Sequence, residues 1–226
     1  MHQPFKNREE AGKRLAIALS GFDRKENTLV LALPRGGVPV AYVVACTLHL
    51  PLDVLLVRKL GVPGHEELAM GAIAGDTVRI LNEDIIDQLH IPPIKIEQIT
   101  AKEQAELLRR NRIYRGNRPF PAIKDCTVIV VDDGLATGAT MKAAVETLRK
   151  AAAKHIIIAV PVGASSTCRE LEDIADEVVC LHTPEPFYGV GQWYTDFSQT
   201  SDQEVQEYLA HAVPQNDTQH LSELSE

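Results

Sequence analysis

Cysteine is scarce and scattered in this chain. Cys46, Cys126, Cys168 and Cys180 stand far apart, with no C-x-x-C pair and no histidine at ligand spacing, which argues against a zinc site or a disulfide framework. Cys46 and Cys180 lie in apolar surroundings and read as small core residues. Long hydrophobic runs are missing: none approaches the roughly 20 residues of a membrane span. Met1 to Arg14 are polar and lack the apolar stretch of a signal peptide, so a cytoplasmic protein is expected. Basic excess is missing as well. The net charge of −8 argues against a general nucleic-acid-binding surface. No internal repeat is found, and 226 residues suffice for one good-sized domain with a buried core.

What is present centres on residues 128–140, Val-Ile-Val-Val-Asp-Asp-Gly-Leu-Ala-Thr-Gly-Ala-Thr. Val128 to Val131 form a bounded run of β-branched residues, which suits a parallel strand buried on both faces. Asp132 and Asp133 end that strand, at the edge where open α/β sheets place ligands. Gly134 to Thr140 then make a loop of small residues and hydroxyls before a helix expected over Met141 to Lys150. Free N–H groups at such a helix start attract a phosphate. Two acids beside an anion cradle conflict unless the ligand also carries hydroxyl donors. A ribose 5-phosphate resolves the conflict, with its diol on the carboxylates and its phosphate among the N–H groups and the hydroxyls of Thr137 and Thr140. A Walker loop is excluded because no lysine follows Gly138. In a dinucleotide fingerprint the acid follows the glycines by about 20 positions, and here the acids come first.

These residues resemble the phosphoribosyl-pyrophosphate (PRPP) motif of the type I phosphoribosyltransferases. The resemblance implies that Asp132 and Asp133 hold the ribose hydroxyls, directly or through magnesium, and that Ala136, Thr137, Gly138, Ala139 and Thr140 hold the 5-phosphate.

Ahead of this motif, residues 8–19 pattern as an amphipathic helix, Leu29 to Leu33 as a strand, and Val38 to Leu48 as a helix. Between the last two lies Pro34-Arg35-Gly36-Gly37, whose glycines permit close backbone approach and whose arginine adds charge. It resembles the family's pyrophosphate loop, which implies pyrophosphate binding by Arg35, Gly36 and Gly37. Asp53 to Val57 read as the next strand, ending in Arg58-Lys59. Leu60 to Glu67 read as a loop free to move, and Ala69 to Ala74 with Thr77 to Leu81 as a hairpin about Gly75-Asp76. The Arg-Lys-x-Gly-x-Pro-Gly string resembles the start of the mobile catalytic loop of adenine phosphoribosyltransferases, so Arg58 and Lys59 would neutralise departing pyrophosphate while the loop excludes water.

Residues 82–118 suggest a short helix at Ile85 to Leu89, a break at Pro92-Pro93 and a longer helix from about Lys95 to Tyr114. Arg109, Arg110, Arg112, Arg115 and Arg118 near its end fit an RNA contact, a dimer contact, or cations at a helix C-terminus. His155 to Val160 and Glu177 to Leu181 read as strands, and Ser165 to Ile174 as a helix. Five of the eleven Phe, Tyr and Trp residues fall in Thr183 to Phe197, giving either a stacking surface for a flat base or a lid that only packs. That segment resembles the base-stacking region of purine salvage enzymes, which implies Trp193 or Tyr194 as the stacker and Asp196 as a third metal contact beside Asp132 and Asp133.

The resemblance has one departure. Hypoxanthine-guanine enzymes carry an aspartate where this chain has Ala136; adenine and orotate enzymes resemble it better there. His65, Glu66 and Glu67 are candidate proton-transfer groups instead, with Glu67 joining Asp132, Asp133, Arg58 and Lys59 in the implied catalytic set.

The expected fold is α/β, a mainly parallel sheet with helices on both faces, plus a small hood and a helical insertion. Residues 1–212 would form one domain, with a core over about 29–181, the insertion over about 82–118 and the hood over about 183–197; residues 213–226 would be a disordered tail. The resemblance implies magnesium-dependent phosphoribosyl transfer to a nucleobase nitrogen, weighed against two alternatives: a PRPP-sensing regulator and a PRPP enzyme with a non-base acceptor. It also implies small-molecule substrates and a homodimer.

Overall fold

The computed structural model describes residues 3–74, 78–116 and 118–212. The tail from 213 and the tip of the expected hairpin, Gly75-Asp76, lie outside the described residues. No helix among them is long and apolar enough to cross a membrane.

Five parallel strands make the main sheet: β1 (Thr28–Ala32), β2 (Leu52–Val54), β6 (Thr127–Val131), β7 (His155–Val162) and β8 (Glu177–His182), in the order β2-β1-β6-β7-β8. Their near-continuous apolar runs follow from burial on both faces. Val30, Ala32, Ile129, Val131, Ile157 and Ala159 face one core, which α1 (Arg8–Ala18) and α2 (Gly37–Leu48) complete. Leu29, Leu31, Val128, Val130, Ile156 and Ile158 face the other, under α5 (Ala139–Lys150) and α6 (Ser165–Glu172). Helices on both faces of a parallel sheet are as expected.

From β1 the chain winds outward to β2, and from β6 it winds the opposite way through β7 to β8. The strand order therefore reverses between β1 and β6. That gap is the place where doubly wound sheets leave a crevice at the strands' carboxyl ends.

A second, antiparallel sheet stands apart: β3 (Val57–Val62), β4 (His65–Ala74) and β5 (Val78–Leu81). It corrects the expectation of a loop over Leu60 to Glu67, because those residues form a β-hairpin turning at Pro63-Gly64, with Gly64 at φ +77°. The cause is burial. Leu60, Val62, Met70, Ala72 and Ala74 alternate into the core, and the pull of that alternation outweighs the loop-like glycines and proline. Strand β2 is also shorter than expected, and Val57 belongs to the hairpin. Residues 82–118 give α3 (Glu83–Gln88) and α4 (Pro93–Arg115), separated before Pro93 as expected; Pro93 itself sits in the first turn of α4, where a missing N–H costs nothing. Residues 183–197 form no strand of either sheet. Within them a 3-10 turn, Val190–Trp193, leads to Tyr194, which bridges to Phe5. The helix α7 (Asp202–His211) follows, started by a Ser201–Glu204 capping box.

The arginine cluster separates by role. Arg109 and Arg110 pair with Glu106 on their own helix. Arg115 is buried: its Nε donates to Asp53 Oδ1 at 2.9 Å, its Nη2 to the carbonyl of Val54, and its guanidinium lies 4.4 Å from the Phe120 ring centre. It ties α4 to the edge strand β2. Arg115→Ala should therefore destabilise the fold by about 3 kcal/mol, because it strands the Asp53 carboxylate, whereas Arg109→Ala, at an exposed pair, should cost far less. Chemical denaturation of both variants measures the difference, and equal losses would refute the buried tie.

Candidate active site

The crevice between β1 and β6 is built by close backbone contact. Leu33 N–H donates to Val131 C=O at 2.9 Å, which fixes the Pro34–Gly37 turn beside Asp132 and Asp133. The Pro34–Arg35 peptide is cis. A Cβ on Gly37 would stand 2.6 Å from the Val131 oxygen and 2.8 Å from Asp132 Cα, and one on Gly36 only 1.9 Å from Asp133 Oδ2. Both glycines are needed for approach rather than for backbone twist: the turn lies directly on the acid pair.

The two carboxylates differ in surroundings. Asp132 accepts the N–H of Asp133 on Oδ1 at 2.8 Å. Burial first, and the neighbouring Asp133 charge second, hold its carboxyl well above the ordinary range. Asp133 is also raised by burial, but the Arg8 guanidinium opposes the rise. Arg8 Nε and Nη2 both donate to Asp133 Oδ2, at 2.9 and 2.8 Å.

Beyond the acids the loop is pinned at both ends. Leu135 N–H donates to Val162 C=O and Ala164 N–H to Leu135 C=O, each at 2.9 Å, and Thr167 Oγ1 donates to Ala136 C=O at 2.6 Å. Gly138 has φ +69°, and the Thr167 methyl would lie 2.6 Å from any Cβ there, so only glycine fits. Ala136, Thr137, Ala139 and Thr140 are exposed. No acidic residue stands in the first turn of α5, and Arg149 and Lys150 occupy its last, so the dipole is left to act at the loop. N–H groups of a first helical turn lack intrahelical acceptors. Ala136 to Thr140 therefore bring an exposed loop and a helix start to within two residues of the acids.

The expected cations approach from two sides. Arg58 and Lys59 share with Pro63, Glu66 and Thr140 a cavity of about 390 Å³ beneath the hairpin. Arg58 Nε donates to Glu103 of α4 at 2.8 Å. Arg35 lies 3.8 Å from Asp202 of α7, which also accepts the Tyr114 hydroxyl at 2.5 Å. His65 and Glu66 are exposed on the hairpin; the Glu67 side chain lies outside what the structure describes.

The family model of the phosphoribosyl transferase domain matches residues 4–197. The chain belongs to that family. Two Mycobacterium tuberculosis proteins, from different strains and provisionally named phosphoribosyl transferases, are each 46% identical over 208 residues, covering 92% of this chain and 47% of theirs. The chain thus spans about half the length of the curated relatives it matches. The crystal structure of TT1426 from Thermus thermophilus superposes with a TM-score of 0.85 at 37% identity, covering 94% of this chain and 100% of that one.

In this phosphoribosyl transferase domain the aromatic segment packs against the start of the chain. Tyr194 is buried, with its ring 5.6 Å from Phe5 and 5.1 Å from Phe197 between centres, and its hydroxyl donates to Asp133 C=O at 2.6 Å. It buttresses the acid pair, and its ring packs between Phe5 and Phe197. Trp193 is half-buried in the same cluster. The Asp196 carboxylate accepts the Ser198 N–H at 3.0 Å. Sequence reasoning missed three contributors: Arg8, Thr167 and the Tyr194 hydroxyl. Thr167 stands near the start of the helix after β7, where a hydroxyl facing the loop could have been suspected; nothing local marks Arg8.

Two outcomes are expected. Gly37→Ala, which meets backbone, should cost more stability than Gly36→Ala, which meets a side chain, with both in the range of about 1–3 kcal/mol; thermal melts that reverse the order would contradict the packing. Because the folded state raises the Asp132 pKa, it binds that proton more tightly than the unfolded chain. The associated stability is full below the ordinary value of about 3.9 and is lost as pH rises through the folded pKa. Asp132→Asn should therefore be more stable than the natural chain at neutral pH, with the gap closing toward about pH 4. A gap independent of pH would contradict the buried-charge account.

Proposed function

We propose that this protein transfers the phosphoribosyl group of PRPP to an acceptor nitrogen, with a nucleobase as acceptor, and releases pyrophosphate. The observation that carries the reading is the direct contact of the Pro34–Gly37 turn with Asp133 at the switch point, which sets one carboxylate pair between two small-residue loops. A ligand that bears a diol between two phosphate groups is complementary to that arrangement. Ala136, Thr137, Gly138, Ala139 and Thr140 hold the 5-phosphate, and Asp132 and Asp133 accept the ribose hydroxyls. Gly36 and Gly37 with Arg35, Arg58 and Lys59 receive the pyrophosphate as its bond to C1 breaks and the acceptor nitrogen bonds to C1. Positioning and charge neutralisation carry such chemistry.

Magnesium fits this donor set. It binds through one or two carboxylates plus substrate phosphates and keeps several waters, and among the described residues no three His, Cys, Asp or Glu side chains converge as a protein-only cage. Asp132 and Asp133 would hold it, and Asp196, which is not clustered with them, would meet it only together with the pyrophosphate; when bound, it would offset the negative charge of the pyrophosphate. The hairpin of β3 and β4 carries His65, Glu66 and Glu67, of which Glu67 is the proposed proton acceptor. Trp193 takes the base-stacking role. A cytoplasmic homodimer acting in nucleotide salvage is consistent with this reading.

Incubation with magnesium, PRPP and a mixture of purine and pyrimidine bases should release pyrophosphate together with a new nucleotide mass. Asp132→Asn combined with Asp133→Asn should lower that turnover at least a thousandfold while the fold persists. Turnover unchanged in the double variant would sink the assignment, and PRPP binding without either product would favour a sensor over an enzyme.

A further inference from the structure

Resting on that reading, one residue outside both loops has a defined task. Arg8 belongs to the first turn of α1, 125 positions before the carboxylate it contacts. Both of its donors converge on a single oxygen, Asp133 Oδ2. Its third nitrogen, Nη1, donates to Ser198 C=O at 2.7 Å, and its guanidinium carbon lies 4.1 Å from the Phe197 ring centre. The side chain is 11% exposed, so the guanidinium is held on several sides and cannot swing freely. Oδ2 is also the atom that lies against Gly36. Arg8 thus fixes which way the carboxylate points at the place where the two loops meet.

We propose that Arg8 is a positioning residue for PRPP binding, which holds Asp133 in the orientation that leaves its other oxygen to accept a ribose hydroxyl. Two adjacent half-buried acids facing an anionic ligand need a counter-charge. The described groups around Asp133 are Asp132 on its own strand, the Tyr194 hydroxyl on its carbonyl, and Arg8; around Arg8 itself stand Asp196 and Glu204. Of these only Arg8 is a cation. Loss of Arg8 should leave the Asp133 carboxylate free to turn away from the place where the two loops meet.

The test compares the natural chain, Arg8→Met and Arg8→Lys by melting temperature without ligand and by the shift that magnesium with increasing PRPP produces. Arg8→Met should weaken PRPP binding at least tenfold at temperatures where it remains folded. Arg8→Lys should restore part of that affinity, and it serves alone if Arg8→Met does not fold. Variants that melt earlier yet keep the natural PRPP affinity would overturn the proposal and leave Arg8 a structural tie. A natural chain that PRPP does not stabilise would overturn the functional reading itself, and the proposal with it.

Discussion

The structure depends on the absence of two side chains. Gly36 and Gly37 let the β1 turn rest on the end of β6 so closely that a single Cβ would overlap the Asp133 carboxylate or the Val131 and Asp132 backbone. Everything at the crevice is referenced to that contact. The carboxylates are aimed by it, the α2 helix starts from it, and the phosphate-type loop departs from the strand it touches. Sheet topology brings the two strand ends together, since the strand order reverses between them. Glycine then removes the last obstacle to their meeting.

Charge is the second theme. Burying two neighbouring acids is unfavourable, and the molecule offsets the cost unequally: Asp133 receives a guanidinium, whereas Asp132 receives a backbone N–H. The result is a pair of chemically identical groups with different proton affinities, a pattern common where folds are adapted to ligands. Stability is given up at the site and recovered in the two apolar cores on either side of the sheet.

Much of this was legible in the sequence. The β-branched run at 128–131, the acids after it, and the small-residue loop before α5 each carry a local signal, and the structure has all three elements at those places. The Pro34–Gly37 turn was equally plain. The β3–β4 hairpin was not, because Gly61, Pro63 and Gly64 signal a loop while the burial of Leu60 and Val62 is a tertiary effect. The aromatic segment left two readings open for a related reason. A tyrosine's sequence neighbours cannot tell that Phe5, from the far end of the chain, will cover its ring. Arg8 was invisible on the same grounds: an arginine just after a helix N-cap looks solvated until a partner 125 residues away is known.

The pairing of Phe5 with Tyr194 also orders events in time. Phe5 N–H donates to Trp193 C=O, and Thr195 and Asp196 N–H donate back to Phe5 and Lys6, all within 2.9 Å. During synthesis the first of these segments waits for nearly the whole domain before its partner emerges from the ribosome. Closing so long a loop costs entropy that few local contacts can repay. Arg8 can therefore be locked over the acid pair only once residues 193–196, which follow the last strand of the sheet, are in place, so the charge balance of the ligand-binding edge depends on both ends of the domain.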